Sequence, residues 1–233
     1  MSDSIQTEVQ SRGITRLCHF TPARNLAHIA SNQDGLKSIN ALRSEQTACF
    51  TATDTKRLDG YTNHICCSIE YPNAWYLSKA EANDALFKDW VILFISHNYL
   101  SIDGTRFCPR NAAAGSGSQV VKSLSGFQSL FAPSITGAYG RTNVRGAQHL
   151  KCSPTDDQAE VLVQSHVPLA DILGVAVKDE TQAKNEVTRL RLMGIQQNPF
   201  RFIIAPELFD KQRLSKSIRA GKRPIETLHS TKL

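Results

Sequence analysis

The sequence lacks several features that would assign it to a common class at once. No apolar run approaches the roughly 18 residues of a membrane-spanning helix, so we expect no membrane segment. The first 13 residues are polar and contain no apolar signal core, which predicts a cytoplasmic protein. The six cysteines form no C-x-x-C pair, a pattern that favours reduced, mostly buried thiols over a zinc site. We therefore expect no bound metal.

Four familiar catalytic signatures are also missing. The chain has no G-x-x-x-x-G-K-[ST] phosphate loop, no G-x-S-x-G nucleophile turn and no H-E-x-x-H zinc motif. The glycine-rich stretch GAYGRTNVRG does not lie between a strand and a helix, so it does not indicate a Rossmann dinucleotide site. These absences argue against P-loop nucleotidases, Rossmann oxidoreductases, α/β-hydrolases and zincin-type metalloproteases.

Acidic residues are absent from a long central segment. Between Asp103 and Asp156 there is no Asp or Glu, whereas six cations occur: Arg106, Arg110, Lys122, Arg141, Arg145 and Lys151. An acid-free basic segment fits a polyanionic partner and a solvated surface equally well. A second basic cluster lies at residues 211–223, and there we expect a solvated surface.

Short apolar stretches and helical patterns do occur, in an irregular order. The chain has 233 residues and 41% hydrophobic residues, enough for one large domain with a real core. The patterns predict strands at 14–20, 64–70, 90–96, 105–109, 160–167, 172–177 and 200–205, and helices at 22–32, 79–87, 180–193 and 207–219. No regular βαβ rhythm appears, which favours an α+β fold. We expect a flexible N-terminal tail (1–13), one domain (14–220) and a loose basic tail (221–233).

Three polar side chains stand at positions that suit nucleotide chemistry. His19 and Thr21 face the same way on the first strand and can hold a ribose diol; alternatively, the backbone satisfies the His and the Thr caps a helix. Arg57 lies in the polar loop TDTKRLDGYTNH, where it can clamp a pyrophosphate or simply pair with Asp59 at the surface.

Glu160 stands at the mouth of a predicted buried strand, directly after the acid-free segment. A carboxylate there can bind a ribose hydroxyl and stabilise the cationic state formed when a glycosidic bond breaks. The alternative is an exposed glutamate at a strand end.

Three stretches, in this order, resemble one known family: CHFTPARNLAHIASNQDGL, DTKRLDGYTNHICCSIEYPN and SPTDDQAEVLVQSHVPL. They are similar to the DarT DNA ADP-ribosyltransferases, the toxins of DarT–DarG toxin–antitoxin pairs, over residues 14–205. The resemblance implies an α+β, PARP-like ADP-ribosyltransferase fold, with a split β-sandwich core and flanking helices. It also implies NAD as co-substrate, single-stranded DNA as substrate and an antitoxin of the DarG macrodomain type as partner.

The resemblance assigns roles to individual residues. It makes Glu160 the catalytic glutamate, Arg57 the essential arginine, residues 38–57 an NAD-binding element and residues 112–160 a substrate loop. The implied NAD-binding residues are His19, Phe20, Thr21, Gly35, Leu36, Arg57 and Tyr71. The tyrosine that stacks on nicotinamide is not clearly placed, with Tyr71 and Tyr76 as candidates.

The DNA is expected to lie along the central segment. We expect Arg141, Arg145, His149 and Lys151 to grip phosphates, and Phe127, Phe131 and Tyr139 to stack bases. DTKRLDG and SIEYPN look more like the guanine-modifying branch, so we favour guanine over thymine. Two alternatives stay open. One is an enzyme of this fold that acts on RNA or protein, including the related phosphate-removing RNA enzyme. The other is a non-enzymatic nucleic-acid-binding module.

Overall fold

A computed structural model describes residues 2–44, 57–84, 86–137 and 140–230. The helices within these ranges are α1 Ser2–Arg12, α2 Leu26–Ser31, α3 Ile39–Ser44, α4 Ala74–Asn83, α5 Leu124–Ser129, α6 Glu180–Leu192 and α7 Lys211–Arg219. The strands are β1 Arg16–Pro22, β2 Leu36–Lys37, β3 His64–Ile69, β4 Trp90–Ser96, β5 Arg106–Cys108, β6 Ser134–Thr136, β7 Thr142–Val144, β8 Glu160–Gln164, β9 His166–Val167, β10 Ile172–Val177, β11 Phe202–Ile204 and β12 Thr227–Leu228. Short 3₁₀ turns occupy Ala23–Asn25, His97–Ser101, Ala112–Gly115, Leu169–Asp171 and Pro206–Phe209.

Eight strands form one sheet in the order β12-β11-β10-β4-β1-β3-β8-β5. Strand β4, the all-apolar stretch WVILFIS, is buried along its whole length between β10 and β1. All the strand pairs of this sheet are antiparallel except β10 with β11. The mixed sheet with helices around it is the α+β fold expected from the sequence.

The sheet splits between β1 and β3. These two strands pair at only two positions, Leu17 with Ile69 and Cys18 with Ser68, and then separate. Past that point the His19 side chain spans the gap and its Nδ1 contacts the carbonyl oxygen of Cys66 at 2.8 Å. The split divides the sheet into a half containing β1 and a half containing β3, β8 and β5, and a cleft opens at the division.

The first helix corrects the prediction of a flexible N-terminal tail. Residues 2–12 form α1, whose apolar residues Ile5 and Val9 are buried in the core. The Arg12 guanidinium lies 4.0 Å from the centre of the Phe131 ring. The spacing of Ile5 and Val9, four residues apart, was a helical signal in the sequence.

The C-terminal segment is also docked, where the sequence predicted a loose tail. Strand β12 pairs with β11 at the edge of the sheet. Arg223 donates to the buried Glu70 carboxylate at 2.9 Å, and Glu226 pairs with Arg16. These ion pairs join residues more than 150 positions apart, so no local pattern could have revealed them.

Two further elements differ from the sequence-based boundaries. The helix predicted at 79–87 begins at Ala74, because the Asn73 side chain caps it by accepting from the Tyr76 amide at 2.9 Å. Helix α3 lies between the predicted helix 22–32 and the predicted strand 64–70, where the sequence patterns indicated neither a helix nor a strand.

The state of the cysteines and the length of the helices can be compared with what the sequence predicted. The five described cysteines are free, four of them are buried and Cys66 is partly exposed; Cys49 lies outside the described residues. Within the described part of the chain, every helix is too short or too polar to cross a bilayer.

Candidate active site

A large cleft opens where the sheet splits. Its volume is about 1360 Å³, more than the roughly 300–1,000 Å³ of ordinary small-molecule sites. Six of the seven predicted cofactor residues line it together with the predicted catalytic glutamate: His19, Phe20, Thr21, Gly35, Leu36, Arg57 and Glu160. The fold therefore brings together residues that are up to 141 positions apart. Their individual roles stay predictions.

His19 is fixed as a neutral ring at the end of the β1–β3 pairing. Its Nδ1 is bound to the Cys66 carbonyl oxygen, which fixes Nδ1–H as the donor and leaves Nε2 as an acceptor. Burial lowers the pKa of His19, the Cys66 carbonyl opposes this shift, and the Arg57 guanidinium adds to it. Thr21, two residues on, is 3% exposed and accepts from the Asn25 amide at 2.8 Å. The backbone-satisfied histidine is thus observed, whereas no side-chain cap bond from Thr21 is seen at the following helix.

Arg57 is built into its loop. Its guanidinium makes a two-point contact with Asp59, with Nε to Oδ1 at 3.0 Å and Nη2 to Oδ2 at 2.9 Å. It also donates to the backbone carbonyls of Tyr61 and His64 at 2.5 Å. The pair with Asp59 is buried, with side-chain exposures of 7% and 4%, so it is not the surface ion pair of the alternative interpretation. Arg57 also has φ +38°, a backbone strain that this bonding holds in place.

Glu160 lies at the first position of β8, opposite Cys108 of β5. Burial raises the pKa of Glu160 to about 7; the Ala112 amide lowers it, the Asp59 carboxylate raises it, and Arg57 and the Cys66 thiol lower it. A carboxyl group that titrates near neutral pH in a cleft is typical of a group that exchanges a proton in a reaction.

Cys66 and Asp59 complete the surroundings of Glu160. Ligand-type atoms of these three residues all lie within 4.8 Å of one another. Both oxygens of Asp59 already accept from Arg57, and burial together with Glu160 raises the pKa of the Cys66 thiol well above its usual range. The group is thus held together by internal bonds, and the absence of a metal stays a prediction.

Gly35 shapes the wall of the cleft. It has φ +62°, and a Cβ at this position would lie 2.5 Å from the carbonyl oxygen of Val167. Only glycine fits here without displacing the backbone of the β2–β9 pair. The next residue, Leu36, is buried in the core at the same wall.

Tyr71 is a correction. It is 5% exposed, follows β3 at the end where β3 still pairs with β1, and lines a small pocket under α7 instead of the cleft. Tyr76, the other candidate, lines the cleft and contacts Phe20 edge to face at 5.8 Å between ring centres. Because α4 begins at Ala74, after the Asn73 cap, Tyr76 lies in its first turn, next to the cleft.

The predicted DNA-gripping residues of the central segment point in two directions. Arg141 and Lys151 are exposed. Arg145 instead donates to the carbonyls of Ser153 and Leu150 at 2.8 Å each. His149 is 5% exposed, and its Nε2 lies 3.0 Å from the Pro154 carbonyl oxygen.

Burial explains the state of His149 and corrects two aromatic predictions. Desolvation, followed by the charges of Arg145 and Arg219, lowers the pKa of His149 to about 4, so it is neutral. Phe127 and Phe131 are 0% and 6% exposed and pack in the core, where a base cannot reach them. Tyr139 and residues 45–56 of the predicted NAD-binding element lie outside the described residues.

Several cleft residues received no individual role in the sequence analysis. Arg110, Asn111, Gln158, Trp75 and Lys79 all line the cleft. Asn111 and Arg110 follow β5 and reach Glu160 only through the β5–β8 pairing, which has no local sequence signal. Gln158 could have been predicted from the sequence, because it lies two residues before Glu160 and its side chain is therefore close to that residue.

Comparison with known proteins places the chain in a family. A protein-family model described as "ssDNA thymidine ADP-ribosyltransferase, DarT" matches residues 18–209. No curated protein matches the chain significantly.

Solved structures share the fold. Thermus sp. 2.9 DarT in complex with NAD+ has a TM-score of 0.57 and 17% identity, covering 84% of this chain and 97% of that one. Thermus sp. 2.9 DarT in complex with ADP-ribosylated ssDNA has a TM-score of 0.56 and 16% identity, and the match covers 84% of this chain and 97% of that one. Thermosipho africanus DarTG in complex with ADP-ribose has a TM-score of 0.55 and 16% identity. The match covers 84% of this chain but only 51% of that one. The family match over residues 18–209 settles the assignment: the chain belongs to the DarT family, whose fold is the ADP-ribosyltransferase fold.

Proposed function

We propose that the protein transfers ADP-ribose from NAD to a base of single-stranded DNA and releases nicotinamide. The observation that carries this proposal is the position of Glu160, a carboxyl group with a pKa of about 7 inside a cleft that also contains a neutral His19 and a fixed Arg57. Family membership and the Thermus DarT structures in complex with NAD+ and with ADP-ribosylated ssDNA support the same chemistry.

NAD binds along the split of the sheet. The Nε2 acceptor of His19 takes a hydrogen bond from a ribose hydroxyl, and Gly35 lets the wall approach the dinucleotide closely. Tyr76, in place of Tyr71, stacks on the nicotinamide ring from the side of Phe20.

Glu160 acts on both halves of the reaction. The bond between C1′ of the ribose and the nicotinamide nitrogen breaks, and nicotinamide leaves as a neutral molecule with the bonding electrons. The ionised carboxylate stabilises the positive charge that develops on the ribose. A nitrogen of the base then bonds to C1′ and gives its proton to Glu160, which suits a group with a pKa of about 7.

Arg57 contributes a fixed positive charge and no proton transfer. A guanidinium stays protonated in proteins, so it is not a base. Its bonds to Asp59, Tyr61 and His64 hold the charge near Glu160, where it favours the ionised carboxylate and the anionic groups of the substrates.

The substrate strand is single because a paired base hides its reactive edge, and flipping it out costs a few kcal/mol. Within the strand we favour guanine over thymine on the strength of DTKRLDG and SIEYPN, although the description of the family names thymidine. The partner that restrains the enzyme is an antitoxin of the DarG macrodomain type.

The test uses NAD and two single-stranded oligonucleotides, one lacking guanine and one lacking thymine, with intact-mass detection. An ADP-ribose adduct on the guanine-containing strand alone supports the full proposal, and an adduct on the thymine-containing strand alone corrects the base. An RNA strand and a bulk protein extract serve as competing acceptors. An adduct on RNA or protein but not on DNA would favour the first alternative, and binding of oligonucleotide with NAD untouched would favour a non-enzymatic module.

A further inference from the structure

Trp75 stands at the rim of the cleft and is partly exposed. Its exposed fraction is 37%, and it lines both the cleft and the small pocket beneath α7. The other tryptophan, Trp90, is 2% exposed. A single exposed aromatic side chain is common and carries nothing by itself. The surroundings of Trp75 are what distinguish it.

The indole is fixed in its orientation by hydrogen bonds. Its Nε1 donates to Asp157 Oδ2 at 3.3 Å. The same carboxylate accepts from Ser215 Oγ at 2.6 Å and from Arg219 at 3.4 Å. A ring held in place before a ligand arrives loses little freedom on binding, which favours stacking.

The neighbouring surface is cationic. Helix α7 packs against α4, and the Lys211 Nζ lies 5.3 Å from the centre of the Trp75 ring. Four cations belong to α7: Lys211, Arg213, Lys216 and Arg219. Among the described residues, only Arg219 of these four has an acidic partner within ion-pair distance. Asp210, directly before α7, caps the helix by accepting from the amides of Gln212 and Arg213.

We propose that Trp75 and α7 form a contact surface for the single strand outside the catalytic centre, with a base stacked on the indole and phosphates along α7. Aromatic platforms beside basic residues are the usual means of holding single strands without reading their sequence. Helix α7 begins after residue 209, where the family match ends. The inference rests on the proposed function, because its ligand is the strand whose base enters the cleft. It also revises the expectation that the basic cluster 211–223 is merely solvated.

The two tryptophans make the test direct. The full chain is titrated with a single-stranded oligonucleotide without NAD, and tryptophan emission is followed. We expect quenching of the exposed indole, and Trp75→Phe, which leaves Trp90 as the emitter, should remove most of it. Binding measured by anisotropy of a labelled strand should weaken about tenfold in Trp75→Ala and stay near the unmodified value in Trp75→Tyr.

The contact of Lys211 with a phosphate of the strand is tested through the salt dependence of binding. Lys211→Ala should reduce the slope of log affinity against log salt concentration by about 0.7, the effect of losing one phosphate contact to a single strand. The matched control is Lys184→Ala, an exposed lysine on α6 paired with Glu180, which should leave the slope unchanged.

The outcomes separate this inference from the proposed function. Unquenched emission while the strand binds, or full affinity in Trp75→Ala, overturns the inference; if the unmodified protein still forms the adduct, the proposed function stands. A weaker Trp75→Ala complex with no adduct from the unmodified protein supports the contact surface and overturns the transfer. In an active enzyme, Trp75→Ala should raise the KM for the strand. Lys211→Ala, which changes a residue outside the cleft lining, should also raise the KM for the strand and leave the KM for NAD and kcat close to their original values.

Discussion

Two groups of residues were predicted to bind substrates: His19, Arg57 and Glu160, here called the floor of the cleft, and the cations of the central segment. The side chains of the two groups are placed differently in the structure. On the floor, His19, Arg57 and Glu160 come from three separate stretches and converge in one cleft. In the central segment, Arg141 and Lys151 face outward, whereas Arg145 and His149 satisfy backbone carbonyls. His19 and Glu160 are strand residues, whose direction is fixed by alternation, whereas the direction of a loop cation, Arg57 included, depends on which acceptors lie nearby.

The comparison predicts that floor residues control chemistry and that the inward cations control stability.

The largest effect is expected for Glu160→Gln, which keeps the shape of the side chain and removes its charge. The rate of ADP-ribose transfer should fall by about a thousandfold or more, since the developing ribose cation loses its stabilising carboxylate. Adduct formation over time is the measurement. Glu180→Gln, on the exposed side of α6, is the control and should keep full activity; comparable activity in Glu160→Gln would remove Glu160 from the mechanism.

Asp59→Asn should have the next largest effect. One of the two contacts with Arg57 is lost, so kcat should fall by roughly ten- to a hundredfold as the guanidinium loses its position. The Asp59 charge also raises the pKa of Glu160, so its removal should move the acid limb of the pH–rate profile to lower pH. A purely structural defect would lower the rate at every pH and leave the limb in place. That outcome would contradict a coupling of Asp59 to Glu160.

Arg145→Ala should lower stability rather than chemistry. It leaves the carbonyls of Ser153 and Leu150 without their charged donor, a loss of about 2 kcal/mol in the free energy of unfolding. Denaturant unfolding measures this, and kcat at low temperature should stay within about twofold. A stable Arg145→Ala protein that fails to bind DNA would return Arg145 to the phosphate-gripping role.

Glu160 should also make stability depend on pH. Its folded-state pKa of about 7 lies above the usual value of 4.5, so the folded protein holds the proton more tightly than the unfolded chain. The contribution of this carboxyl to stability is therefore complete below about pH 4.5 and is lost as the pH rises to about 7. Glu160→Gln should therefore gain on the order of 3 kcal/mol in the free energy of unfolding, relative to the unmodified protein, as the pH rises from about 4.5 to about 7. A constant difference from pH 4.5 to 8 would contradict a raised pKa.

The smallest effects are expected for the outward cations. Arg141→Ala and Lys151→Ala should each weaken binding of a single-stranded oligonucleotide about two- to threefold at moderate salt, and leave the melting temperature unchanged. His149→Ala serves as the contrast, because His149 is buried and should affect melting and not the salt dependence. Equal salt slopes in all three variants would mean that the central segment does not touch the strand.

Much of the strand framework could be predicted from the sequence, and the reasons are particular. The stretch WVILFIS gave the limits of β4, and ILGVAV those of β10, because apolar runs with clear ends specify buried strands. The helix cap at Asn73 was overlooked, and with it the choice of Tyr76 over Tyr71 for the cleft. The docking of both chain ends depends on Glu70 and Arg16, which meet partners far away in sequence.

The candidate site divides in the same way. Residues on strands or at glycine turns, such as His19, Gly35 and Glu160, line one cleft, because local geometry fixes their direction; their roles stay predictions. The inward bonds of Arg145 go to carbonyls of the same segment, and the burial of Phe127 and Phe131 accompanies the packing of α5 against β5 and α1. No periodic pattern in the sequence expresses either. A run of cations alone therefore does not distinguish a DNA-gripping surface from a set of internal donors.

The most direct measurement is the ratio of nicotinamide released to adduct formed when the protein, NAD and a single-stranded oligonucleotide are combined. The account predicts one nicotinamide for each ADP-ribosylated base, release that depends on the strand, and loss of both products in Glu160→Gln. Nicotinamide release without any adduct on DNA, or adduct formation undiminished in Glu160→Gln, would contradict it.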